Sequence, residues 1–460
     1  MRASLCFSYT CEDLKRPSVS VVSPVHNAPA HLRKCRERRS ASVEPPDEIL
    51  VVDDGSTDET PDVARSFPVR LLTTGGRCGP AVARNLGARE ASGDVLFFID
   101  ADVLVRADTI DQVRAAFADD PTLDALMGSY DDSPGSGDFL SQYKNLMHHF
   151  VHQRSRREAC TFWSGCGAIR REVFLEHEGF DESYDRPAIE DIELGYRLFQ
   201  SGRKMILDAD IQVKHLKKWT FLGLLKSDVL DRGIPWTELI LRDRRMPNDL
   251  NLQLSQRVSV ALSFVLVALA LAGTLYYGGY FLTPLFALLF LMLGRFWGEA
   301  VSIRESKRGL VWTAFIAAAI TAMSLANHME GMILPLWLGY GLLLVHHRYE
   351  YESERRKRYV RQVTAVVIAL VVALTVVYLP TNLFLYGVLL VLVALIVLNT
   401  QFYLFLAAKQ NRTFAMAAVP FHILYLLYSG LSFAAGLTRF YLFRSQPRAA
   451  GRPLGRPSGQ

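Results

Sequence analysis

The sequence predicts an α/β domain with a mainly parallel sheet, followed by an all-α bundle of membrane-spanning helices. Two observations support this prediction. Within residues 18–126, short β-branched or apolar runs alternate with helical stretches, which is typical of parallel strands whose connecting helices cover both faces of the sheet. From about Arg257 onwards, apolar segments are long enough to cross a bilayer.

The α/β pattern specifies individual elements in chain order. The predicted strands are short runs rich in apolar residues, at 18–25, 48–52, 69–73 and 95–99. The predicted helices lie at 30–40, 60–66, 80–91, 139–157 and 189–201. Residues 131–138, which are rich in Asp, Ser and Gly, are expected to form a mobile loop.

We expect five regions along the chain. They are an N-terminal extension (1–17), the α/β domain (18–215), interfacial or juxtamembrane helices (216–256), a membrane region (257–443) and a disordered tail (444–460). The membrane region contains six predicted spans, at 258–276, 279–297, 310–327, 329–346, 362–380 and 383–406. A seventh apolar segment, 414–443, is interrupted by Pro420 and Gly430 and is compatible with a kinked span, a re-entrant hairpin or an interfacial helix.

The distribution of basic residues predicts the orientation of the membrane region. The linkers after the second, fourth and sixth spans are rich in Lys and Arg, at 295–308, 348–361 and 409–412. The positive-inside rule places these linkers in the cytosol, on the side of the α/β domain. Residues 1–17 lack the apolar core of a signal peptide. We therefore expect an integral protein of the plasma membrane whose α/β domain is cytosolic.

Composition argues against two classes of function. The chain has 51 Lys and Arg against 46 Asp and Glu, a net charge of +5, and the basic residues lie largely beside apolar segments. This distribution fits anionic lipid headgroups as a partner and not nucleic acid. The six cysteines include no Cys-x-x-Cys pair, which argues against a zinc site.

Two aspartates, Asp100 and Asp102, follow the apolar run 95–99. Ligands bind at the carboxyl ends of the strands in open α/β sheets, so these carboxylates stand where a ligand is expected. Two hard oxygen ligands one residue apart suit Mg²⁺ or Mn²⁺, with a substrate diphosphate completing the coordination shell.

Three further motifs carry candidate chemistry. Asp53 and Asp54 end a strand and could accept hydrogen bonds from a nucleobase or ribose, while helix capping would explain only one of them. Arg84 lies in the small-residue stretch 79–87 and either meets a phosphate or belongs to a helix packed on the sheet. Glu190 and Asp191 open a helix, where they either complement its dipole or provide a general base.

In this order and spacing, the motifs resemble those of family 2 glycosyltransferases with the GT-A fold, over roughly residues 18–245. Pro24-Val25-His26-Asn27 is similar to the opening motif of that family, with His26 in place of the usual Tyr. The stretch 53–58 resembles the nucleotide motif, and 79–85 and Asp100-Ala101-Asp102 resemble the next two. Residues 162–171, which include Gly165 and Cys166, resemble the segment that lines the acceptor side, and Glu190-Asp191 resembles the Glu-Asp motif.

The resemblance implies an inverting transfer from a nucleotide-diphospho-sugar to a hydroxyl group of a membrane-associated acceptor, either lipid-linked or a glycolipid. Asp191 would deprotonate the acceptor, Glu190 would orient it, and Asp102 with Asp100 would hold Mg²⁺ or Mn²⁺. The nucleotide-sugar would contact a larger set of residues, namely Pro24, His26, Asp53, Asp54, Arg84, Asp100 and Ala101.

The stretch 214–220 joins the two halves of the chain. His215-Leu216-Lys217-Lys218-Trp219 imperfectly resembles the Gln-x-x-Arg-Trp motif of processive polysaccharide synthases, in which the Trp stacks on an acceptor sugar. That resemblance makes Trp219 and Lys218 acceptor candidates. A juxtamembrane basic stretch with an interfacial Trp is the favoured alternative.

Three alternative functions stay open at this point. A polyprenyl-phosphate acceptor is already anionic and needs little help from a base, so the Glu-Asp motif favours a hydroxyl acceptor. A processive synthase needs a polar or aromatic channel, and the predicted spans contain few polar residues. A membrane scaffold or transporter with an inactive transferase domain is the non-enzyme alternative, and the intact acidic motifs argue against it.

Overall fold

The computed structural model describes residues 16–39, 45–277 and 383–442, together with the single residue Ala318. Eight strands of this part of the chain form one sheet in the order β3-β2-β1-β4-β7-β6-β8-β5. In chain order they are Val19–Val25 (β1), Glu48–Asp53 (β2), Arg70–Thr73 (β3), Val95–Ile99 (β4), Val103–Val105 (β5), Ala125–Tyr130 (β6), Cys166–Arg170 (β7) and Met205–His215 (β8).

The sheet is mixed, although its first half is parallel as predicted. Strands β1 to β4 are mutually parallel, with Val25 opposite Asp53. Strand β7 runs antiparallel to both β4 and β6, and β5 runs antiparallel to β8. Because β7 is reversed, Cys166 at its start pairs with Ile99 at the end of β4. The segment that precedes β7 therefore lies at the carboxyl edge of the parallel strands.

Nine α-helices accompany the described part of the sheet and its continuation. They are Pro29–Arg39 (α1), Thr60–Arg65 (α2), Pro80–Glu90 (α3), Thr109–Asp119 (α4), Phe139–Arg154 (α5), Arg171–Glu176 (α6), Glu190–Gln200 (α7), Phe221–Lys226 (α8) and Ile234–Asp243 (α9). A π-helix, Ser227–Gly233, joins α8 to α9. This chain of helices leads directly from the last strand to the apolar C-terminal segments.

The two faces of the sheet are covered by separate apolar cores. Successive side chains of a strand point to opposite faces, so Leu96 and Phe98 enter one core while Val95 and Phe97 enter the other. All of them are fully buried. This arrangement explains why the run 95–99 is apolar without interruption, and it confirms the prediction of an α/β domain.

The C-terminal half contains helices Leu254–Tyr277 (α10), Leu383–Leu398 (α11), Thr400–Lys409 (α12) and Arg412–Leu442 (α13) within the described residues. By length and composition α10 and α13 could each cross a membrane. The first predicted span, 258–276, therefore coincides with an apolar helix. The predicted spans at 279–297, 310–327, 329–346 and 362–380 lie outside the described residues.

The structure adds detail to two predicted membrane segments. Residues 383–406 were expected to form one span, and here α11 and α12 meet at a bend of 63°, as in a broken span or a re-entrant loop. The buried Asn399 between them donates a hydrogen bond to Ser259 of α10 at 3.0 Å, which ties the bend to its neighbour. The last apolar segment forms α13, a single continuous helix that contains Pro420 and does not reverse direction. The break in this part of the chain therefore lies at Asn399 and not at Pro420.

Helix α13 packs along the α/β domain for most of its length. At its start Phe414 contacts Phe139 of α5, with ring centroids 4.8 Å apart. In the middle Tyr428 donates a hydrogen bond to Asp228 of the π-helix at 2.7 Å. Near its end Arg439 forms an ion pair with Glu238 of α9 at 3.0 Å. The apolar half and the α/β domain are therefore directly joined.

Candidate active site at the carboxyl edge of the sheet

The candidate residues of the first motifs lie at the carboxyl edge of the parallel strands. Pro24 is within β1 and His26 follows it, Asp53 ends β2, and Asp100 follows β4. Parallel strands bring their carboxyl ends to the same edge of a sheet, so these residues come together although they are far apart in sequence. Ala101, partly buried, lies in the turn between Asp100 and β5.

Asp54 organises the loop that precedes α3. One carboxylate oxygen accepts a hydrogen bond from the N–H of Cys78 at 2.8 Å, and the other accepts one from the N–H of Gly79 at 2.9 Å. Gly79 has φ of +97°, and a Cβ there would lie 2.7 Å from the carbonyl oxygen of Asp185. The Asp54 carboxylate, which was expected to bind a base or ribose, therefore stabilises the conformation of loop 74–79.

Asp53 and His26 are also held by their neighbours. Asp53 accepts a hydrogen bond from the N–H of Ser56 at 3.2 Å, which closes the turn after β2. His26 Nδ1 lies 2.8 Å from the carbonyl oxygen of Asp54, which can only accept, so Nδ1 is the protonated nitrogen. The imidazole is thus fixed in one tautomer at the end of β1.

Arg84 lies in the protein interior, which corrects the expectation that it meets a phosphate. It is 4 % exposed, and its two terminal nitrogens donate to Asp100 Oδ1 at 2.7 Å and to Glu190 Oε1 at 2.9 Å. Glu190 uses its second oxygen to accept from the N–H of Ala188 at 2.9 Å. Arg84 therefore joins the metal-type motif after β4 to the acidic motif of α7, 106 positions further on.

Asp191 is held on the opposite side of this cluster. Its Oδ2 accepts two hydrogen bonds from Ser164, from the backbone N–H at 3.0 Å and from Oγ at 3.1 Å. Burial, with the nearby charge of Glu190, raises the pKa of Asp191 to about 6. A carboxylate with this pKa is suited to accept a proton near neutral pH.

The structure adds one residue to the candidate metal site, His215 at the end of β8. Its Nε2 lies 3.5 Å from Asp102 Oδ2, and its ring stacks on Tyr130 with centroids 4.4 Å apart. Burial opposes ionisation of Asp102, but the hydrogen bond and charge of His215 outweigh it and lower the pKa of Asp102. Sequence reasoning had considered His215 only within the imperfect synthase motif. His215 reaches this position because β8 pairs with β5, and β5 begins directly after Asp102, with Val103 opposite His215.

The three side chains, Asp100, Asp102 and His215, are of the types that bind divalent cations. Asp100 and Asp102 are about one-third and one-quarter exposed, so both carboxylates reach the cleft. Two carboxylates with an imidazole nitrogen suit Mn²⁺ or Mg²⁺ completed by phosphate oxygens. Among the residues that the structure describes, no three such groups are already assembled closely enough to hold an ion alone. One oxygen of Asp100 is moreover engaged by Arg84.

Two of the acceptor candidates are corrected. Trp219 is only 8 % exposed and packs in an apolar cluster with Leu140, Leu224 and Tyr428, so it offers no free face to a sugar. Cys166 is fully buried, and burial raises the pKa of its thiol to about 12. Neither side chain can contact an acceptor in this arrangement.

Gly165 and Lys218 have other surroundings. A Cβ at Gly165 would lie 2.6 Å from the indole of Trp163, so glycine lets that indole fold over the backbone beside Ser164. Trp163 is half-buried, and its ring meets the ring of Tyr130 edge-on with centroids 4.7 Å apart. Neither of these two residues had been selected from the sequence. Lys218 is exposed next to the buried Trp219.

Comparison with known proteins is consistent with the motifs. Residues 20–178, less than half of the chain, match the family model Glycosyl transferase family 2. This stretch is similar to that family, and the match includes the motifs from Pro24 to Gly165 but ends before Glu190 and Asp191.

Curated relatives and solved structures are similar over part of their length. Validoxylamine A glucosyltransferase of Streptomyces hygroscopicus subsp. limoneus is 31 % identical over 232 residues, 42 % of this chain and 50 % of that protein. Probable glycosyltransferase YdaM of Bacillus subtilis is 26 % identical over 219 residues, 42 % of this chain and 49 % of that protein. The chain spans about half the length of these relatives. The mannosyltransferase PcManGT of Pyrobaculum calidifontis, solved with GDP-Man and Mn²⁺, superposes with a TM-score of 0.45 at 20 % identity, covering 73 % of this chain and 88 % of that one.

Proposed function

We propose that this chain is a membrane-bound, inverting glycosyltransferase with a GT-A type domain. It moves a sugar from a nucleotide-diphospho-sugar to a hydroxyl group of a membrane-associated acceptor, with Mg²⁺ or Mn²⁺ as cofactor. The observation that carries the proposal is the Arg84 bridge, because it joins Asp100 beside the donor motif to Glu190 beside the base. The family match over residues 20–178 supports the same reading of the donor side.

The chemical step assigned to this chain is proton removal by Asp191. The acceptor hydroxyl gives its proton to Asp191 as its oxygen attacks the anomeric carbon, and the bond from that carbon to the phosphate oxygen breaks on the opposite face. Ser164 fixes the carboxylate by two hydrogen bonds to Oδ2, and Oδ1 accepts one from the N–H of Ile192 at 2.8 Å, which leaves one lone pair of Oδ1 for the acceptor. Attack opposite the leaving group inverts the anomeric configuration.

The metal would be held by Asp100, Asp102 and His215. When bound, the cation neutralises charge on the leaving nucleoside diphosphate as a Lewis acid. The role of the protein is to offset the repulsion between the carboxylates that surround the site. Arg84 lies between Asp100 and Glu190, so their like charges are compensated by one buried guanidinium.

The nucleotide would lie over the ends of β1 and β2, beside Pro24, His26 and Asp53. Because Arg84 is occupied in the interior, the phosphate contact expected of it passes to Arg77. That side chain is exposed on loop 74–79, whose shape Asp54 maintains. Arg presents a planar pair of donors that matches phosphate oxygens.

The acceptor is proposed to reach the site from the membrane. Helices α10 and α13 are apolar enough to cross or lie in a bilayer, and α13 contacts α5, the π-helix and α9. We propose that the protein resides in the plasma membrane with its α/β domain in the cytosol, where nucleotide-sugars are available. The burial of Trp219 removes the main feature that suggested a processive synthase.

The experiment that tests this proposal is a donor screen with the full chain in lipid nanodiscs. UDP-, GDP- and dTDP-sugars labelled in the sugar are incubated with Mn²⁺ and an extract of native membrane lipids. Transfer of label to lipid by the wild-type chain and not by Asp191→Asn supports the proposal, and the mass of the labelled lipid separates single transfer from polymerisation. Absence of transfer from every donor would contradict it and favour a scaffold.

A further inference from the structure

We infer that Arg232 and Lys217 form an anion site that binds the phosphate group linking an acceptor sugar to its lipid. The inference rests on the proposed function and specifies its acceptor as a phosphate-linked lipid saccharide, in preference to an uncharged glycolipid. It begins from two cations near the catalytic carboxylates that form no ion pair or hydrogen bond among the described residues.

Arg232 lies on the π-helix between α8 and α9, and it is half-buried. The two carboxylates of that helix are engaged elsewhere. Asp228 pairs with Lys144 at 2.8 Å and accepts a hydrogen bond from Tyr428, and Asp231 lies 3.5 Å from Arg186. Arg232 therefore has no ion pair or hydrogen bond within the part of the chain that the structure describes, although it stands next to two acidic residues.

Lys217 is the second cation of the site. It is exposed, and its Nζ lies over the ring of the buried Trp219, 4.1 Å from the centroid. Trp219 is itself fixed, because its backbone N–H donates to Ser141 Oγ at 2.8 Å. A rigid indole thus holds an ammonium group just after the end of β8, and within the described ranges this group forms no ion pair with a carboxylate.

The two cations flank the catalytic carboxylates. Arg232 lies one turn from Asp228, which pairs with the buried Lys144, and the charges of Arg232 and Lys217 both act on that lysine. Lys217 lies over Trp219, whose ring is 6.5 Å from that of His215, the neighbour of Asp102. Arg232 also interacts electrostatically with Asp191, and Lys217 with Asp102. Neither cation forms an ion pair among the described residues, so both remain available to a bound anion. An Arg fork with a Lys ammonium is suited to a phosphate group.

The position of the cations favours a lipid phosphate. The same helical segment exposes Leu222 and Leu230, which are 75 % and 47 % accessible, and its Gly233 packs against Ser432 of α13. The cation site therefore lies where the α/β domain meets the apolar helices. The ends of β1 and β2 and loop 74–79, assigned to the donor nucleotide, belong to other elements.

This assignment gives the reaction a consistent set of roles. The lipid phosphate is held by Arg232 and Lys217 and takes no part in bond formation. A hydroxyl of the attached sugar loses its proton to Asp191, its oxygen bonds to the donor sugar, and the nucleoside diphosphate leaves with the electron pair of the broken bond. A base stays necessary because the attacking group is a neutral hydroxyl.

The test compares farnesyl phosphate with farnesol, as short lipid probes, on the full chain in detergent without any donor. We expect the wild-type chain to bind farnesyl phosphate at least tenfold more tightly than farnesol. Arg232→Gln and Lys217→Gln should each remove most of this difference, and Arg232→Lys should retain part of it. Lys226→Gln, which removes an exposed cation of α8, is the matched control and should bind like the wild type.

Binding of UDP and GDP in the presence of Mn²⁺ is measured on the same variants. Unchanged nucleotide affinity in Arg232→Gln supports a lipid-phosphate site. Loss of nucleotide affinity with farnesyl phosphate binding intact would assign the cations to the donor diphosphate and overturn the inference. Equal binding of farnesyl phosphate and farnesol by the wild type would also overturn it. Because these assays need no turnover, an Arg232-dependent phosphate site in a chain that transfers no sugar would refute only the proposed function.

Discussion

Ser164 donates two hydrogen bonds to the same oxygen of Asp191, from its backbone N–H at 3.0 Å and from its hydroxyl at 3.1 Å. This relationship places a residue from the segment before β7 against the first turn of α7. The antiparallel direction of β7 makes it possible, since its first residue lies opposite the last residue of β4. The candidate base is therefore oriented by the sheet itself.

Replacement of Asp191 by Asn is expected to abolish transfer while preserving the fold. The amide keeps the size of the carboxylate but cannot accept the acceptor proton, so we expect kcat to fall by about 10² to 10⁴-fold. The unfolding temperature at pH 7 should not decrease, because a buried charge is removed. Asp210→Asn, at an exposed carboxylate of β8, is the control and should transfer at the wild-type rate.

The pH dependence of transfer should report the raised pKa of Asp191. Burial and the charge of Glu190 raise it to about 6, and the base works only when ionised, so kcat should fall about tenfold per pH unit below 6. In Ser164→Ala the ionised form loses a hydrogen bond, and this acid limb should move to higher pH. An acid limb that is the same in both proteins would contradict the assignment.

The same group links stability to pH. The folded pKa of Asp191 is above the value of 3.8 for an unperturbed Asp, so the folded state binds more protons between pH 3.8 and 6. The free energy of unfolding is therefore expected to decrease through this window as pH rises. Chemical unfolding across this range compares the pH dependence of the free energy of unfolding in the wild type and in Asp191→Asn. The two proteins should show the same pH dependence below about pH 4. The opposite slope would argue against a raised pKa.

Arg84 is expected to stabilise the folded α/β domain and not to bind the donor itself. Replacing it with Gln leaves the buried Glu190 and the partly exposed Asp100 without their shared cation, which is expected to cost about 3–5 kcal/mol. Arg84→Lys should recover part of that loss, because it restores the charge but not the two-pronged geometry. Chemical unfolding measures both variants. Unchanged stability of Arg84→Gln with a raised KM for the donor would show that Arg84 binds phosphate after all.

Removal of divalent cations should stop transfer. We expect chelation to abolish activity and added Mn²⁺ to restore it, because Asp100, Asp102 and His215 would hold the ion. In His215→Gln the concentration of Mn²⁺ needed for half-maximal activity should rise by about 10 to 100-fold. Lys226→Gln, at an exposed cation of α8, serves as the control and should need the same concentration of Mn²⁺ as the wild type. Full activity in a chelator would contradict the cofactor assignment.

The ion pair between Lys144 and Asp228 should hold the apolar half against the α/β domain. Both side chains are 9 % exposed, and Tyr428 of α13 donates to the same carboxylate. Asp228→Ala leaves Lys144 unpaired, so we expect a loss of about 3–5 kcal/mol and faster proteolysis between the two halves. Tyr428→Phe removes only one hydrogen bond and should cost about 1–2 kcal/mol. Equal resistance of Asp228→Ala and the wild type to proteolysis would refute this role.

The sequence predicted strands β1 to β4 and helices α1, α2, α3, α5 and α7 of the α/β domain because their signals are local. Strand β4 is a continuous apolar run buried on both faces, and α3 begins at Pro80 directly after Gly79. The convergence of the motifs after β1, β2 and β4 also followed from the parallel direction of these strands. The reversed β7 has no comparable local signal, because a short apolar segment reads the same in either direction.

The corrected residues depend on long-range contacts. Arg84 was expected at a phosphate, but the carboxylates that hold it are supplied by other elements, one of them 106 positions away. Trp219 was considered a sugar platform, but α5 and α13 cover it. The bend at Asn399 depends on a hydrogen bond to Ser259, 140 positions earlier. Burial and pairing of this kind are not encoded in the sequence around each residue.

The most direct test of the central claim is the anomeric configuration of the product, measured by NMR on lipid labelled by the wild-type chain with the donor that the screen identifies. We predict a product of inverted configuration that forms only with a divalent cation and is absent with Asp191→Asn, although that variant still binds the nucleotide. A product of retained configuration, or an active Asp191→Asn, would contradict the account.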